Sequence, residues 1–399
     1  MDLTIHPGTL QGELSLIPSK SQAHRYLIAA AFADRPTEIL CSATNRDMDA
    51  TADCLNALGA GITKSPQGYQ VIPVREVPEK ASLPCRDSGS TLRFLLPVAG
   101  ALGVEATFLM EGRLPSRPLS PLWEEMERMG CRLSRPSAST LLCEGRLKNG
   151  TYRIDGGISS QFITGLLFAL ALLPGRSQIE LLGKVESRPY IDMTLKAMEI
   201  FSVAIEDFQI PEEKIFRSPG TLTVEGDWSN GAFFLAADAL GSHVDILNLD
   251  PRSSQGDRAV RDLLPALKAG TPVISVADIP DLTPILAVTA ACLNGAVFQD
   301  IRRLRLKESD RVQSISRLIQ ALGGKAQAEE DCLRIFGTGL SGGTADAEND
   351  HRIAMAAAIA ATVCKQDVTI LGAECVRKSY PEFFTEFRRL GGNYEQYIR

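Results

Sequence analysis

Apolar residues recur at helical spacing in blocks along this chain, and most blocks end in a glycine phrase. Val312, Ile315, Leu318, Ile319 and Leu322 predict an amphipathic helix that Gly323-Gly324 stops. Similar phrases close other helical patterns: Leu58-Gly59-Ala60-Gly61, Met129-Gly130-Cys131, Leu390-Gly391-Gly392 and, more loosely, Lys268-Ala269-Gly270. Residues 198–203 form a sixth that lacks its glycine. Short β-like runs follow, such as Tyr69-Gln70-Val71-Ile72 and Cys332-Leu333-Arg334-Ile335-Phe336. A unit of strands and helices used about six times accounts for this pattern and predicts an α/β (α+β) protein with mixed sheets.

Polar residues gather where the helical patterns begin. Pro18-Ser19-Lys20-Ser21-Gln22-Ala23-His24-Arg25 follows a strand-like run and opens a helix over residues 26–33, with Ser19 or Ser21 as cap. Lys20 and Arg25 place two cations where the helix dipole is already positive, which costs stability unless an anion binds there. Asp87-Ser88-Gly89-Ser90-Thr91-Leu92-Arg93 opens another helix, and its small residues let backbone N–H groups approach a ligand closely. Arg117 precedes Pro118, which suits the first position of a helix whose apolar side is Leu119, Leu122, Met126 and Met129. Ser159-Ser160-Gln161 introduces the apolar run 162–173, and Glu186-Ser187-Arg188-Pro189-Tyr190 precedes a further helix. Residues 225–230 do the same for the run 232–240. Asp281, ahead of the run 285–291, is both a capping candidate and a candidate general base. Asp350-His351-Arg352 precedes residues 353–361, with His351 read as a packed or hydrogen-bonded histidine. Lys378-Ser379-Tyr380-Pro381 precedes residues 382–390.

Lys307-Glu308-Ser309-Asp310-Arg311 is the most highly charged of these starts. Asp310, with Gln313 three residues on, can cap the first turn. Lys307 and Glu308 then lie just outside a helix N-terminus and Arg311 just inside, a place that favours anions. A glutamate between two cations can carry a proton at a pKa its neighbours set. Alone, the stretch reads as a solvated, salt-bridged helix start. Lys20, Arg25, Arg117, Arg311, Arg352 and Lys378 change that reading, because all six stand at or just before predicted helix starts. Such a set suits substrates that carry several negative charges, at least one of them a phosphate.

Composition removes other classes. At 399 residues, with 44% hydrophobic and 23% charged residues, the chain has room for two domains and a large core. A net charge of −6 disfavours a general nucleic-acid binder. Met1-Asp2-Leu3-Thr4-Ile5 lacks the basic start and apolar run of a signal peptide, and the longest apolar segment, residues 166–173, is too short to cross a bilayer. Nine cysteines without a C-x-x-C pair point to reduced thiols in the cytoplasm, and four scattered histidines to no metal cluster. Neither a P-loop nor a G-x-G-x-x-G occurs. Gly339-Leu340-Ser341-Gly342-Gly343 matches G-x-S-x-G formally, but no helical pattern follows it.

Taken in order between Pro18 and Gly391, four pieces resemble the 5-enolpyruvylshikimate-3-phosphate synthase (3-phosphoshikimate 1-carboxyvinyltransferase) family. They are Ser19-Lys20-Ser21 with Arg25, Ser159-Ser160-Gln161-Phe162, Leu306-Lys307-Glu308-Ser309-Asp310-Arg311, and Asp350-His351-Arg352. The resemblance implies two domains, each of three βαβαββ repeats with helix N-termini facing an interdomain cleft. Residues 1–18 with 226–399 would form one domain and residues 19–225 the other, with hinges near 18–20 and 225–227. The reaction implied joins phosphoenolpyruvate to the 5-hydroxyl of shikimate 3-phosphate and releases phosphate through a tetrahedral intermediate, in the shikimate pathway to aromatic amino acids. Neither metal nor organic cofactor is expected, nor a nucleic-acid or membrane partner, and the protein would be a cytoplasmic monomer.

Carried over by position, Lys20, Gly89, Arg117, Gln161, Arg311, Arg352 and Lys378 would hold phosphoenolpyruvate. Lys20, Ser21, Arg25, Ser159, Ser160, Gln161, Ser187, Asp281 and Lys307 would hold shikimate 3-phosphate, with Tyr190 beside them. Asp281 would accept the proton of the attacking hydroxyl, Glu308 would serve the methylene carbon, and Lys20 would steady the developing charge. The chain departs from the family pattern at Asp87 and Arg303, where asparagines are usual, at Phe94 (proline) and at Ser116 (glutamate). Three alternatives stand beside this reading. A UDP-N-acetylglucosamine enolpyruvyl transferase carries a cysteine ahead of its Arg-Pro pair, and residues 110–117 have none. An RNA 3′-phosphate cyclase type needs ATP, a nucleophilic histidine and a nucleic-acid partner. A non-catalytic phosphometabolite binder would have no use for Asp281, Glu308 and Lys20 together.

Overall fold

The computed structural model describes residues 1–397. The chain divides into two compact units, Pro18–Val224 and the pair Met1–Ile17 with Glu225–Arg399.

The unit Pro18–Val224 carries helices α1 (Lys20–Ala31), α2 (Arg46–Ala57), α3 (Gly89–Leu102), α4 (Leu122–Arg128), α5 (Ser160–Leu172) and α6 (Arg188–Ile200). One of its sheets orders Thr221–Thr223, Thr37–Leu40, Gly68–Ile72 and Gly61–Ser65; another orders Lys80–Arg86, Glu105–Met110, Thr140–Gly145 and Cys131–Ser137. In both, the first pairing is parallel and the next two are antiparallel. A third sheet pairs Thr151–Asp155 parallel to Ser177–Leu182, with Gln209–Ile210 antiparallel at its edge.

The second unit carries α7 (Trp228–Ala239), α8 (Val260–Ala269), α9 (Thr283–Cys292), α10 (Arg311–Ala321), α11 (His351–Ala361) and α12 (Phe383–Arg389). Two of its sheets repeat the same plan. One orders Val273–Ser275, Ala296–Gln299, Cys332–Phe336 and Lys325–Ala328; the other orders Gly343–Asp346, Val368–Leu371, Asp2–His6 and Asn393–Tyr397. Gln11–Leu14 pairs parallel to His243–Ile246 in a third.

Each unit therefore holds three sheets among the described residues, and the recurrent unit expected from the sequence is present. Its marker is physical. Gly59, Gly130, Gly323 and Gly391 turn the chain from a helix end into a strand at φ values of 103°, 114°, 83° and 98°, a region that side chains disfavour.

Helices α5 and α9 are apolar nearly all round and are buried almost throughout, as core helices must be. Closing Leu166 of α5 off from water contributes about 1.5–3 kcal/mol. Helix α5 meets α3 at Gly165, where a β-carbon would lie 2.3 Å from the carbonyl oxygen of Arg93. That close approach sets the N-terminal ends of α3 and α5 beside each other.

Candidate active site

Arg311, the first residue of α10, is only 1% exposed, and its guanidinium reaches three carboxylates. Nε donates to Asp350 Oδ2 at 2.9 Å, Nη1 to Asp281 Oδ1 at 2.7 Å, and Nη2 to Glu308 Oε2 at 2.7 Å. Asp310 caps α10 by accepting from the backbone N–H of Gln313 at 3.2 Å, as expected. Asp350 caps α11, with Oδ1 accepting from the N–H of Arg352 at 3.0 Å while Oδ2 also takes the Ser309 hydroxyl at 3.1 Å. Arg352 in turn grips Asp281 twice: Nη2 donates to Oδ2 at 3.0 Å and Nη1 to the backbone carbonyl at 3.2 Å. Nη2 also donates to Ser229 Oγ of α7 at 3.0 Å. Lys307 Nζ stands 3.8 Å from Asp281 Oδ1. The starts of α7, α9, α10 and α11 thus converge on one carboxylate.

Burial alone would raise the pKa of Asp281, but Arg352, Lys307 and Arg311 outweigh it and hold this carboxylate well below the usual range. Burial draws Lys307 the other way for a lysine, down to about 8, against the pull of Asp281. Arg311, despite its burial, is held charged by Asp350, Glu308 and Asp281.

The unit Pro18–Val224 presents a second group. Ser19 caps α1, its Oγ accepting from Gln22 N at 3.4 Å, so Lys20 is the first helical residue. Lys20 Nζ donates to Asp47 Oδ2 on α2 at 3.0 Å. Arg25 is 2% exposed and its donors go to neutral acceptors: Thr194 Oγ1 at 2.8 Å, Ser21 O at 2.6 Å, Tyr190 O at 2.8 Å and Thr164 Oγ1 at 3.4 Å. The face of Phe94 lies 5.2 Å from its guanidinium carbon. Arg25 thereby ties α1 to α5 and α6.

Ser88 caps α3, accepting from Thr91 N at 3.3 Å, and Gly89 follows as the first helical residue. A β-carbon on Gly89 would lie 2.6 Å from Arg117 Nη1, so the missing side chain is the space the arginine occupies. Gln161, the second residue of α5, is held from both ends: Arg93 Nη1 donates to its Oε1 at 2.8 Å, and its Nε2 donates to Ser90 Oγ at 2.9 Å. Ser159 caps that helix by accepting from Gln161 N at 3.3 Å, and Ser160 opens it. Ser187 occupies the N-cap position of α6 at φ 55°, ψ 37°, without a capping bond from its side chain. A serine in the left-handed region is uncommon and costs about 1–3 kcal/mol unless its surroundings enforce it.

Four expectations need correction. Helix α1 begins six residues earlier than its apolar spacing suggested, so Arg25 lies in its second turn and not at its start. Arg117 does not precede a helix directly, because α4 begins only at Leu122. Ser120 stands before Pro121, which disfavours the helical conformation there, and Arg117 is extended at ψ 132°. Asp281 does not cap α9; the cap position falls to Leu282, and the carboxylate belongs to the guanidinium groups. Lys378 ends the 3-10 helix Ala373–Lys378 and does not open α12. The sequence does not single out Asp47, and it marks Arg93 and Ser229 only as parts of helix starts, without the pairings by which these three fix Lys20, Gln161 and Arg352.

A profile of EPSP synthase (3-phosphoshikimate 1-carboxyvinyltransferase) matches residues 5–387 of the chain. The chain belongs to the EPSP synthase family. The 3-phosphoshikimate 1-carboxyvinyltransferase of Clostridium beijerinckii is 37% identical over 99% of this chain and 99% of its own length. That of Clostridium kluyveri is also 37% identical, over 99% and 98%. The solved EPSP synthase from Acinetobacter baumannii superposes with a TM-score of 0.80 at 20% identity, covering all of both chains, which identifies the same fold. As an EPSP synthase family enzyme, the chain transfers the enolpyruvyl group of phosphoenolpyruvate to shikimate 3-phosphate, a step of aromatic amino acid biosynthesis. The UDP-sugar, RNA-cyclase and non-catalytic readings give way to that assignment. Among the described residues, no helix is long and apolar enough to cross a membrane, and no cluster of three or more His, Cys, Asp or Glu residues is placed to hold a metal ion.

Proposed function

We propose that both groups of residues act on one pair of substrates in this enolpyruvyl transfer. Lys20, Gly89, Arg117, Gln161, Arg311, Arg352 and Lys378 hold phosphoenolpyruvate. Lys20, Ser21, Arg25, Ser159, Ser160, Gln161, Ser187, Asp281 and Lys307 hold shikimate 3-phosphate. The setting of Asp281 carries this reading. It is a fixed carboxylate bonded to Arg311 and Arg352 and 3.8 Å from Lys307. A simple anion binder has no use for a carboxylate among its cations. A catalyst that must take a proton from a hydroxyl does.

In the substrate-free chain those three cations make Asp281 a weak base. Anionic groups arriving on Arg311, Arg352 and Lys307 offset that field and raise its proton affinity as the 5-hydroxyl comes within reach. The hydroxyl oxygen then bonds to C2 of phosphoenolpyruvate, its proton passes to Asp281, and Glu308, protonated once the bound substrate anions offset the field of Arg311, delivers that proton to the C3 methylene carbon. In the second half of the reaction C3 returns a proton to Glu308, the C2–O bond to phosphate breaks, and the departing phosphate takes up the proton held by Asp281, with Lys20 balancing the charge on the leaving group.

Phosphate release from the purified protein with phosphoenolpyruvate and shikimate 3-phosphate tests the reading. Release is expected only with both substrates, and Asp281→Asn should lower kcat far more than it alters either KM. Release that requires UDP-N-acetylglucosamine instead would overturn it. A cytoplasmic monomer goes with this reading, and all nine cysteines are free thiols, as in a reducing compartment. Light scattering that reports a dimer mass would remove the monomer from that statement.

A further inference from the structure

Resting on the reading that Lys20 and the Ser88-Gly89 turn hold phosphoenolpyruvate, we infer that His24 and Thr51 form a positioning ladder that sets these two elements relative to each other. Neither residue belongs to the site described above, and neither needs to touch a substrate.

The ladder follows from helix geometry. Lys20 and His24 are four residues apart on α1, and Asp47 and Thr51 are four apart on α2, so each pair shares a face. The two faces meet in two rungs. Lys20 Nζ donates to Asp47 Oδ2 at 3.0 Å, and His24 Nδ1 lies 2.7 Å from Thr51 Oγ1. The second rung runs on into α3. Thr51 Oγ1 is 2.7 Å from Thr91 Oγ1, and Thr91 donates to Ser88 Oγ at 2.8 Å, the oxygen that caps α3 directly before Gly89. Thr91 also approaches the backbone carbonyl of Asp47 at 3.4 Å, which joins the two rungs. The ring of Phe94 on α3 closes the other side, edge to face with His24 at 6.1 Å.

His24, Thr51, Thr91 and Ser88 are all fully buried, so no solvent stands in for a lost hydroxyl. Burial pushes the imidazole pKa down to about 3, with Lys20 and Arg25 adding to the fall against Asp47, and the ring is neutral. Its Nε2 is buried and has no hydrogen-bond partner in the protein. An orphaned lone pair is less costly there than an orphaned N–H, which places the single proton on Nδ1. Donation then runs one way, from His24 to Thr51, from Thr51 to Thr91, and from Thr91 to Ser88. A buried chain with one direction, whose one alternative acceptor is the Asp47 carbonyl 3.4 Å from Thr91, holds a narrow geometry. It fixes the distance between the ammonium of Lys20 and the backbone of Gly89 before any substrate arrives.

Steady-state kinetics on Thr51→Val and Thr91→Val test this, since both replacements keep volume and remove a hydroxyl. Each should raise KM for phosphoenolpyruvate, which Lys20 and Gly89 both hold, by about tenfold, while kcat and KM for shikimate 3-phosphate, which involve Lys20 but not Gly89, change by less than about threefold. Thr51→Ser, which keeps the hydroxyl, should retain most of the affinity. His24→Asn, whose amide nitrogen falls where Nδ1 lies, should do the same, and His24→Leu should not. Lys20→Met is the reference. If it raises KM for phosphoenolpyruvate and the two valine variants do not, the ladder is refuted and the site reading stands. If Lys20→Met leaves that KM unchanged, the site reading fails and the ladder with it. Equal losses in both KM values and kcat in the valine variants would mean general loosening, and would also overturn the inference.

Discussion

Glu308 and Arg311 meet across the start of α10, three residues apart, with Oε2 accepting from Nη2 at 2.7 Å. The other guanidinium donors of Arg311 are fixed on Asp281 and Asp350, so the arginine cannot follow a change at Glu308. Glu308→Gln keeps an oxygen that accepts the same bond and keeps the shape, but loses the proton carrier. Its kcat should fall by about 10²–10⁴-fold, with the affinity for both substrates nearly unchanged. Rapid-quench turnover and equilibrium binding check this together. Turnover close to that of the parent enzyme would exclude Glu308 from the proton transfers.

Lys307 should make shikimate 3-phosphate binding depend on pH. Burial lowers its pKa to about 8 in the substrate-free chain, so the ammonium is present below that value and lost above it. The substrate phosphate is already a dianion there, since its second pKa is about 6. The affinity is therefore expected to be flat between about pH 6 and pH 8 and to fall by about tenfold per pH unit above it. Lys307→Arg should abolish the fall, because a guanidinium does not titrate in this range. Calorimetric titrations across that interval decide the matter, and a Kd that ignores pH 8 would separate Lys307 from the phosphate.

Gly89→Ala places a β-carbon 2.6 Å from Arg117 Nη1 and 3.1 Å from its Cζ. The obstacle is the end of a flexible side chain, so the fold should survive while Arg117 is pushed aside. KM for phosphoenolpyruvate is expected to rise by about tenfold or more, with KM for shikimate 3-phosphate little altered. Unchanged phosphoenolpyruvate kinetics would show that Arg117 does not bind this substrate from the position it occupies over Gly89.

Asp350→Ala addresses stability. The carboxylate is fully buried, caps α11 and pairs with the equally buried Arg311. Its removal leaves a buried cation short of a partner, at a cost of about 3–5 kcal/mol. Urea unfolding at constant m reads the loss as a lower midpoint. A midpoint within the scatter of the parent protein would mean that Glu308 and Asp281 suffice for Arg311.

Much of this arrangement was legible because it is local. Ser19, Ser159, Asp310 and Asp350 each cap the helix that follows them, and a short polar residue before an apolar period is a signal confined to a few positions. The repeat was legible for the same reason, since Gly59, Gly130, Gly323 and Gly391 each mark one helix-to-strand turn. What escaped depends on distance. Asp47 holds Lys20 from 27 positions away, Arg93 holds Gln161 from 68, and Ser229 holds Arg352 from 123. No periodicity reports such pairings. Arg25 was misplaced because the first turn of α1 is polar, and a capped polar turn has no apolar rhythm to announce it.

The discontinuity of the Glu225–Arg399 unit bears on how the protein is made. Asp2–His6 lies between Val368–Leu371 and Asn393–Tyr397 in one sheet. The whole of Pro18–Val224 leaves the ribosome before either of those partners is synthesised. Domains fold as units while they emerge, so this strand must be carried, with both edges unpaired, past a neighbour that is already folding. Mispairing of Asp2–His6 with a nascent sheet of the same plan is the hazard that this chain order creates. A strand made more than 360 positions ahead of its nearer partner in sequence is among the last to find its place.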